Sequence, residues 1–103
     1  MSTRDFSIKT GVLKRVAKEQ VYYHAERDKQ QKRINDMIAK DPNDYEIKKQ
    51  REVLEETLDM LPDVERRKKA AHQDLANLVA NANPDIKSSK EYQEAVETLE
   101  QYE

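Results

Sequence analysis

From Tyr45 to Ala82, seam positions recur in alternating steps of three and four residues. The positions are Ile47, Gln50, Leu54, Thr57, Leu61, Val64, Lys68, Ala71, Leu75, Leu78 and Ala82, and eight of the eleven are apolar. A repeat of 3.5 residues held this long predicts a helix in a left-handed coiled coil or long bundle. At 1.5 Å per residue such a helix is about 57 Å long. Its seam cannot be buried by its own helix, so other segments must cover it.

A first helix is predicted over 7–40. Val12, Val16, Tyr23, Ile34 and Met37/Ile38 fall on one face, interrupted by Gln20, Arg27 and Gln30. Asp41-Pro42-Asn43-Asp44 ends it, because proline disfavours helix at the residue before it and lacks an amide donor. Asn43 and Glu46 have the form of a capping box for the second helix, predicted over 44–82. A loop this short turns the second helix back along the first. The pairs expected across that hairpin are Tyr23 with Leu61, Ile38 with Ile47, Val12 with Ala71 and Leu75, Gln30 near Thr57, and Glu19 with Lys68. The last would act as a register lock.

Pro62 lies one place after the seam residue Leu61. A bend at an outward-facing proline curves the helix around its partner. Asn83-Pro84-Asp85 closes the second helix, and Ser88 with Glu91 reads as a capping box opening a third over 88–103. Tyr92, Ala95/Val96, Leu99 and Tyr102 give the third one apolar face. It is too short to cover more than the end containing Val64 to Ala82 and the start of the first helix. The other end, two helices thick, would leave flanks such as Val53 and Met37 partly in water, as partner surfaces often are. The expected fold is all-α: a single domain, 1–103, forming an elongated antiparallel three-helix bundle with a shorter third helix.

Composition agrees. Charged residues make up 39% and aromatics 6%, with one glycine and no cysteine, which suits long helices and excludes disulfides and thiolate chemistry. No run approaches a membrane span, and the N-terminus has no apolar h-region, so neither membrane insertion nor secretion is expected. The net charge of −2 is unevenly placed. Residues 1–40 carry +5, 41–83 carry −3 and 84–103 carry −4. Either the helices complement one another or a basic face is aimed at an acidic partner. The cations Lys9, Lys14, Arg15 and Lys18 crowd the predicted start of the first helix, against its dipole, which hints at a use for them.

Candidate chemistry is sparse. His24 and His72 are too far apart in the hairpin to share a metal, and both are expected to be exposed. One glycine cannot build a phosphate loop, and carboxylates on a solvated rod have no cleft to tune them for acid–base work. No enzyme activity, cofactor or metal is expected. The basic runs Lys48-Lys49-Gln50-Arg51 and Arg66-Arg67-Lys68-Lys69 are flanked by acids, the pattern of a solvated helix face rather than a nucleic-acid site.

Several segments, taken in order, carry a resemblance. They are Ile8-Lys9-Thr10-Gly11-Val12-Leu13-Lys14-Arg15 with Lys18-Glu19, then Asp44-Tyr45-Glu46-Ile47-Lys48-Lys49-Gln50. Leu54-Glu55-Glu56-Thr57, Met60-Leu61-Pro62-Asp63, Arg66-Arg67, Ala70-Ala71 and Asp74-Leu75 follow. Their joint order and spacing resemble the tubulin-folding cofactor A family over roughly residues 8–80. The resemblance implies a cytosolic, cytoskeleton-associated three-helix chaperone. It would hold quasi-native β-tubulin after its release from chaperonin and pass it toward assembly with α-tubulin, without nucleotide or metal. Other tubulin-folding cofactors are candidate partners; family members are described both as monomers and as homodimers. Lys9, Lys14, Arg15, Lys18, Tyr22, Lys48, Lys49, Arg51, Arg66 and Arg67 are the candidate partner-binding residues. Each also serves, on the simplest reading, as a solubilising or internally paired charge. The competing function is a coiled-coil adaptor acting through self-association.

Overall fold

The computed structural model describes residues 2–103. Its elements are α1 (Thr3–Lys40), α2 (Glu46–Ala80), α3 (Pro84–Lys87) and α4 (Lys90–Gln101). The chain forms two compact units, Met1–Lys18 with Arg66–Glu103, and Glu19–Glu65.

α1 begins four residues before its expected start. The Asp5 amide donates to Ser2 Oγ at 3.4 Å, and the Ser2 amide to Asp5 Oδ2 at 3.1 Å. This is a capping box with aspartate in place of glutamate. The earlier start changes the electrostatics of the helix end as well as its boundary. The first turn now holds an acid, Asp5, and Lys9 lies beyond the turn where the dipole acts. The charge conflict inferred for Lys9 to Lys18 does not exist.

The first unit has one apolar core. Phe6 and Leu13 from α1, Ala71 and Leu75 from α2 and Ala95 from α4 are buried together. Val12, Leu78, Val79, Ala82, Ile86, Tyr92, Leu99 and Tyr102 pack against them, so Val12 meets the cluster of Ala71 and Leu75 as its seam position implies. Within this unit α2 and α4 run antiparallel. His72 of α2 lies opposite Leu99, and Lys68, one turn earlier, sits 6.0 Å from the centroid of the Tyr102 ring. The Tyr92 ring meets Phe6 edge-on, 5.9 Å between centroids.

The second unit takes its buried side chains from two helices: Ile34 of α1, and Ile47, Thr57 and Val64 of α2. Its link is a turn in which the Asp44 amide donates to the Asp41 carbonyl, with Pro42 at the second position, where its fixed φ fits. The α2 cap is Asp44, whose Oδ1 accepts from the Glu46 amide at 2.9 Å. Asn43, the expected cap, instead gives its amide to Asp41 Oδ1. The Thr57 hydroxyl donates to its own helix at the Val53 carbonyl, and the buried Oε1 of Gln30 has no hydrogen-bond partner. The polar pair expected there is not hydrogen-bonded.

All eleven seam positions from Ile47 to Ala82 are buried or half-buried, while Pro62 is exposed. The expected face of α1 is covered too, but a second one was missed. Phe6, Thr10, Leu13 and Ala17 are also buried, at the same three–four spacing one position out of phase. At the other end of the chain, Pro84–Lys87 adds a one-turn helix. The α4 cap is Ser89, not Ser88: its Oγ accepts from the Tyr92 amide at 3.1 Å.

Candidate protein-binding surface

The candidate cations divide between the two units. In the first, Lys9 lies 3.7 Å from Asp74, and Lys14 Nζ donates to Glu94 Oε1 at 2.6 Å. The hydrogen bond to Glu94 raises the Lys14 pKa, partly offset by desolvation, and the same bond lowers that of Glu94. Lys9 and Lys14 are therefore tied up internally, as the charge complementarity of α1 with α2 and α4 implies, and Arg66 and Arg67 also have partners within the chain. Arg15, Lys18, Arg66 and Arg67 are exposed. Arg15 and Arg67 are brought together, lining a shallow depression with Asp74 at its rim and Val12, Val16 and Ala71 in its floor.

In the second unit Tyr22 is 58% exposed and its neighbour Val21 68%. The Tyr22 ring meets Tyr23 edge-on, 5.3 Å between centroids, which limits its motion. Lys48, Lys49 and Arg51 are exposed on the first turns of α2. Tyr45, 85% exposed, stands just before them. Leu58 is also exposed, and the flanks Val53 and Met37 are half-buried, partly in water as expected. Tyr22 is among the candidates; Val21 is not, though both fall between the seam positions Gln20 and Tyr23, in a stretch where no second seam like that of Leu13 buries the residues in between. A second depression lies on the last turns of α1, lined by Lys29, Lys32, Arg33, Asp36, Met37 and Lys40. Of these six residues the sequence singles out Met37 alone, as a flank left partly in water; the four cations and Asp36 are not among its candidates.

The histidines differ. His24 is exposed, but His72 is half-buried, contrary to expectation, with Nε2 3.2 Å from the Leu99 carbonyl. A carbonyl only accepts, so in the tautomer with the proton on Nε2 this contact is a hydrogen bond that joins α2 to α4. Among the described residues no group of three His, Cys, Asp or Glu side chains could hold a metal ion, and no helix is long and apolar enough to cross a membrane. The geometry offers exposed cations, exposed aromatics and shallow depressions with apolar floors, which suit contact with a macromolecule.

Residues 1–99 match the family model described as tubulin binding cofactor A. The chain belongs to the tubulin binding cofactor A family. Its similarity to the tubulin-specific chaperone A of Gallus gallus is 45% identity over 97 residues, covering 94% of this chain and 89% of that protein. The Schizosaccharomyces pombe tubulin-specific chaperone A is 31% identical over 104 residues, covering 96% and 87%. Among solved structures, human tubulin chaperone cofactor A superposes with a TM-score of 0.81 at 41% identity, over 96% of this chain and 95% of that one. The crystal structure of tubulin folding cofactor A from Arabidopsis thaliana gives 0.85 at 30% identity, over 97% and 94%. This member of the cofactor A family thus shares with those structures an all-helical fold along nearly its whole length.

Proposed function

We propose that the protein is a tubulin-folding chaperone. It captures quasi-native β-tubulin released by the cytosolic chaperonin and holds it on the route to the α/β heterodimer. The observation that carries this reading is kinship with tubulin-specific chaperones along almost the entire chain. The proposed form is one domain, an antiparallel three-helix bundle acting in the cytosol beside the cytoskeleton. A stiff helical surface can cover a client's interface without reshaping it, and the action needs no covalent step, nucleotide or metal.

Of the candidate residues, Arg15, Lys18, Tyr22, Lys48, Lys49 and Arg51 would meet the client directly, and Arg66 and Arg67 would do so while also interacting within the chain. Lys9 and Lys14 would do so only on leaving Asp74 and Glu94. The test is capture of β-tubulin released from chaperonin. Wild-type protein should retain it. Arg15→Glu combined with Lys18→Glu should weaken retention, with a smaller difference at high salt because exposed charges are screened. If the bound fraction held only further copies of this chain, the function would instead be that of a self-associating adaptor.

A further inference from the structure

We propose that the face of α1 from Tyr22 to Lys40 is a docking strip for an acidic polypeptide segment carrying at least one apolar side chain. The inference rests on the reading that the chain holds another protein, not on which protein that is. Tyr22 and Lys40 are separated by five full helical turns and so lie in line, about 27 Å apart. Lys29 and Arg33 fall close to the same line, two and three turns from Tyr22. Lys32 and Asp36 border it, and the half-buried Met37 supplies an apolar wall to the depression they share.

Four cations face one carboxylate there. Folding accounts for part of them. Lys32 pairs with Asp36 at 3.0 Å, Lys29 approaches Glu26 at 3.9 Å, and Lys40 in the last turn suits the helix dipole. Arg33, midway along and exposed, has no such role: among the described residues it makes no ion pair or side-chain hydrogen bond. Arginine and tyrosine are the side chains that most often anchor protein interfaces. Here one exposed tyrosine, held by its neighbour's ring, and one unpaired arginine sit on a single line with surplus positive charge. The matching occupant carries carboxylates against Lys29, Arg33 and Lys40 and an apolar group against Tyr22 or Met37. About eight extended residues span the strip. A phosphate backbone fits less well, since Asp36 interrupts the positive track.

The test uses the full chain, isotope-labelled for NMR, and a synthetic peptide of glutamates around one phenylalanine. The peptide should shift the amides of Tyr22, Lys29, Arg33, Met37 and Lys40, and binding should fall with salt. Arg33→Gln with Lys40→Gln should weaken it roughly tenfold or more. Tyr22→Ala should weaken it with helicity unchanged. Four outcomes overturn the proposal: shifts confined to other residues, undiminished binding by these variants, equally tight binding of an oligonucleotide of equal charge at the strip, or self-association of the pure protein through it. Capture of chaperonin-released β-tubulin is scored separately. If wild-type protein captures tubulin but the peptide misses the strip, the strip is wrong and the chaperone reading stands. If the peptide seats on the strip but tubulin is not captured, the strip stands and its client is another protein.

Discussion

At the scale of single residues, several side chains have consequences that can be measured. Gly11 lies inside α1, and a Cβ built there meets nothing within 4 Å. Gly11→Ala should therefore stabilise the protein by about 0.5–1 kcal/mol, read as a higher denaturation midpoint, because helix interiors disfavour glycine. The Ser89 cap predicts that Ser89→Ala costs about 1 kcal/mol. Ser88→Ala should cost less, since the Ser88 hydroxyl only donates to the Asp85 carbonyl. The reverse order would restore the cap read from the sequence. The Lys14–Glu94 pair sets a pH dependence. The Glu94 pKa is depressed by its bond to Lys14, so its contribution is present above the ordinary carboxylate value and is lost as the pH falls through the lowered one. The Lys14 pKa is raised by the same bond, so its contribution is present below the ordinary lysine value and is lost as the pH rises through the raised one. Lys14→Met should raise the NMR titration midpoint of Glu94 back toward the ordinary carboxylate value. Both side chains are largely exposed, so the effect on overall stability should be small.

At the scale of elements, α1 presents two apolar seams in its first turns. One contains Val12 and Val16; the other contains Phe6, Thr10, Leu13 and Ala17. The first was legible because it continues the face running to Ile38. The second was not, because Thr10 breaks it chemically and Phe6 precedes the expected start of the helix. Phe6 is nevertheless fully buried against Tyr92. Phe6→Ala should cost about 3–5 kcal/mol, comparable to any core truncation in this unit, and a loss below 1 kcal/mol would contradict its place in the core. α2 was read almost whole, for the opposite reason: its seam never slips, and burial follows it position by position.

At the scale of the molecule, the two units differ in how much they bury. Among the described residues, the first encloses Phe6, Thr10, Leu13, Val16, Ala17, Ala71, Leu75, Ala95 and Thr98, the second only Ile34, Ile47, Thr57 and Val64. Local stability follows buried apolar contact. Native-state hydrogen exchange should therefore show higher opening free energies for the amides of Leu13, Ala17 and Leu75 than for those of Arg27, Ile34 and Leu54. Uniform protection along α1 would contradict this ranking. The less buried unit also carries Tyr22, Arg33 and the cations of the docking strip, and surfaces that adjust to a partner are commonly drawn from such regions.

The sequence by itself determined the three longer helices, their ends to within a few residues, and the family, because a regular apolar period and an ordered set of motifs are properties of the chain taken one residue after another; the one-turn helix Pro84–Lys87 was not among them. Only the tertiary structure decided which cations remain available. Lys9 and Lys14 look like binding residues in sequence, yet meet Asp74 and Glu94, which are distant in the chain. Arg33, unremarkable in sequence, is exposed and makes no ion pair or side-chain hydrogen bond among the described residues. A charge becomes free or spent according to what folding places beside it, and that is set by helix phase and register across the core.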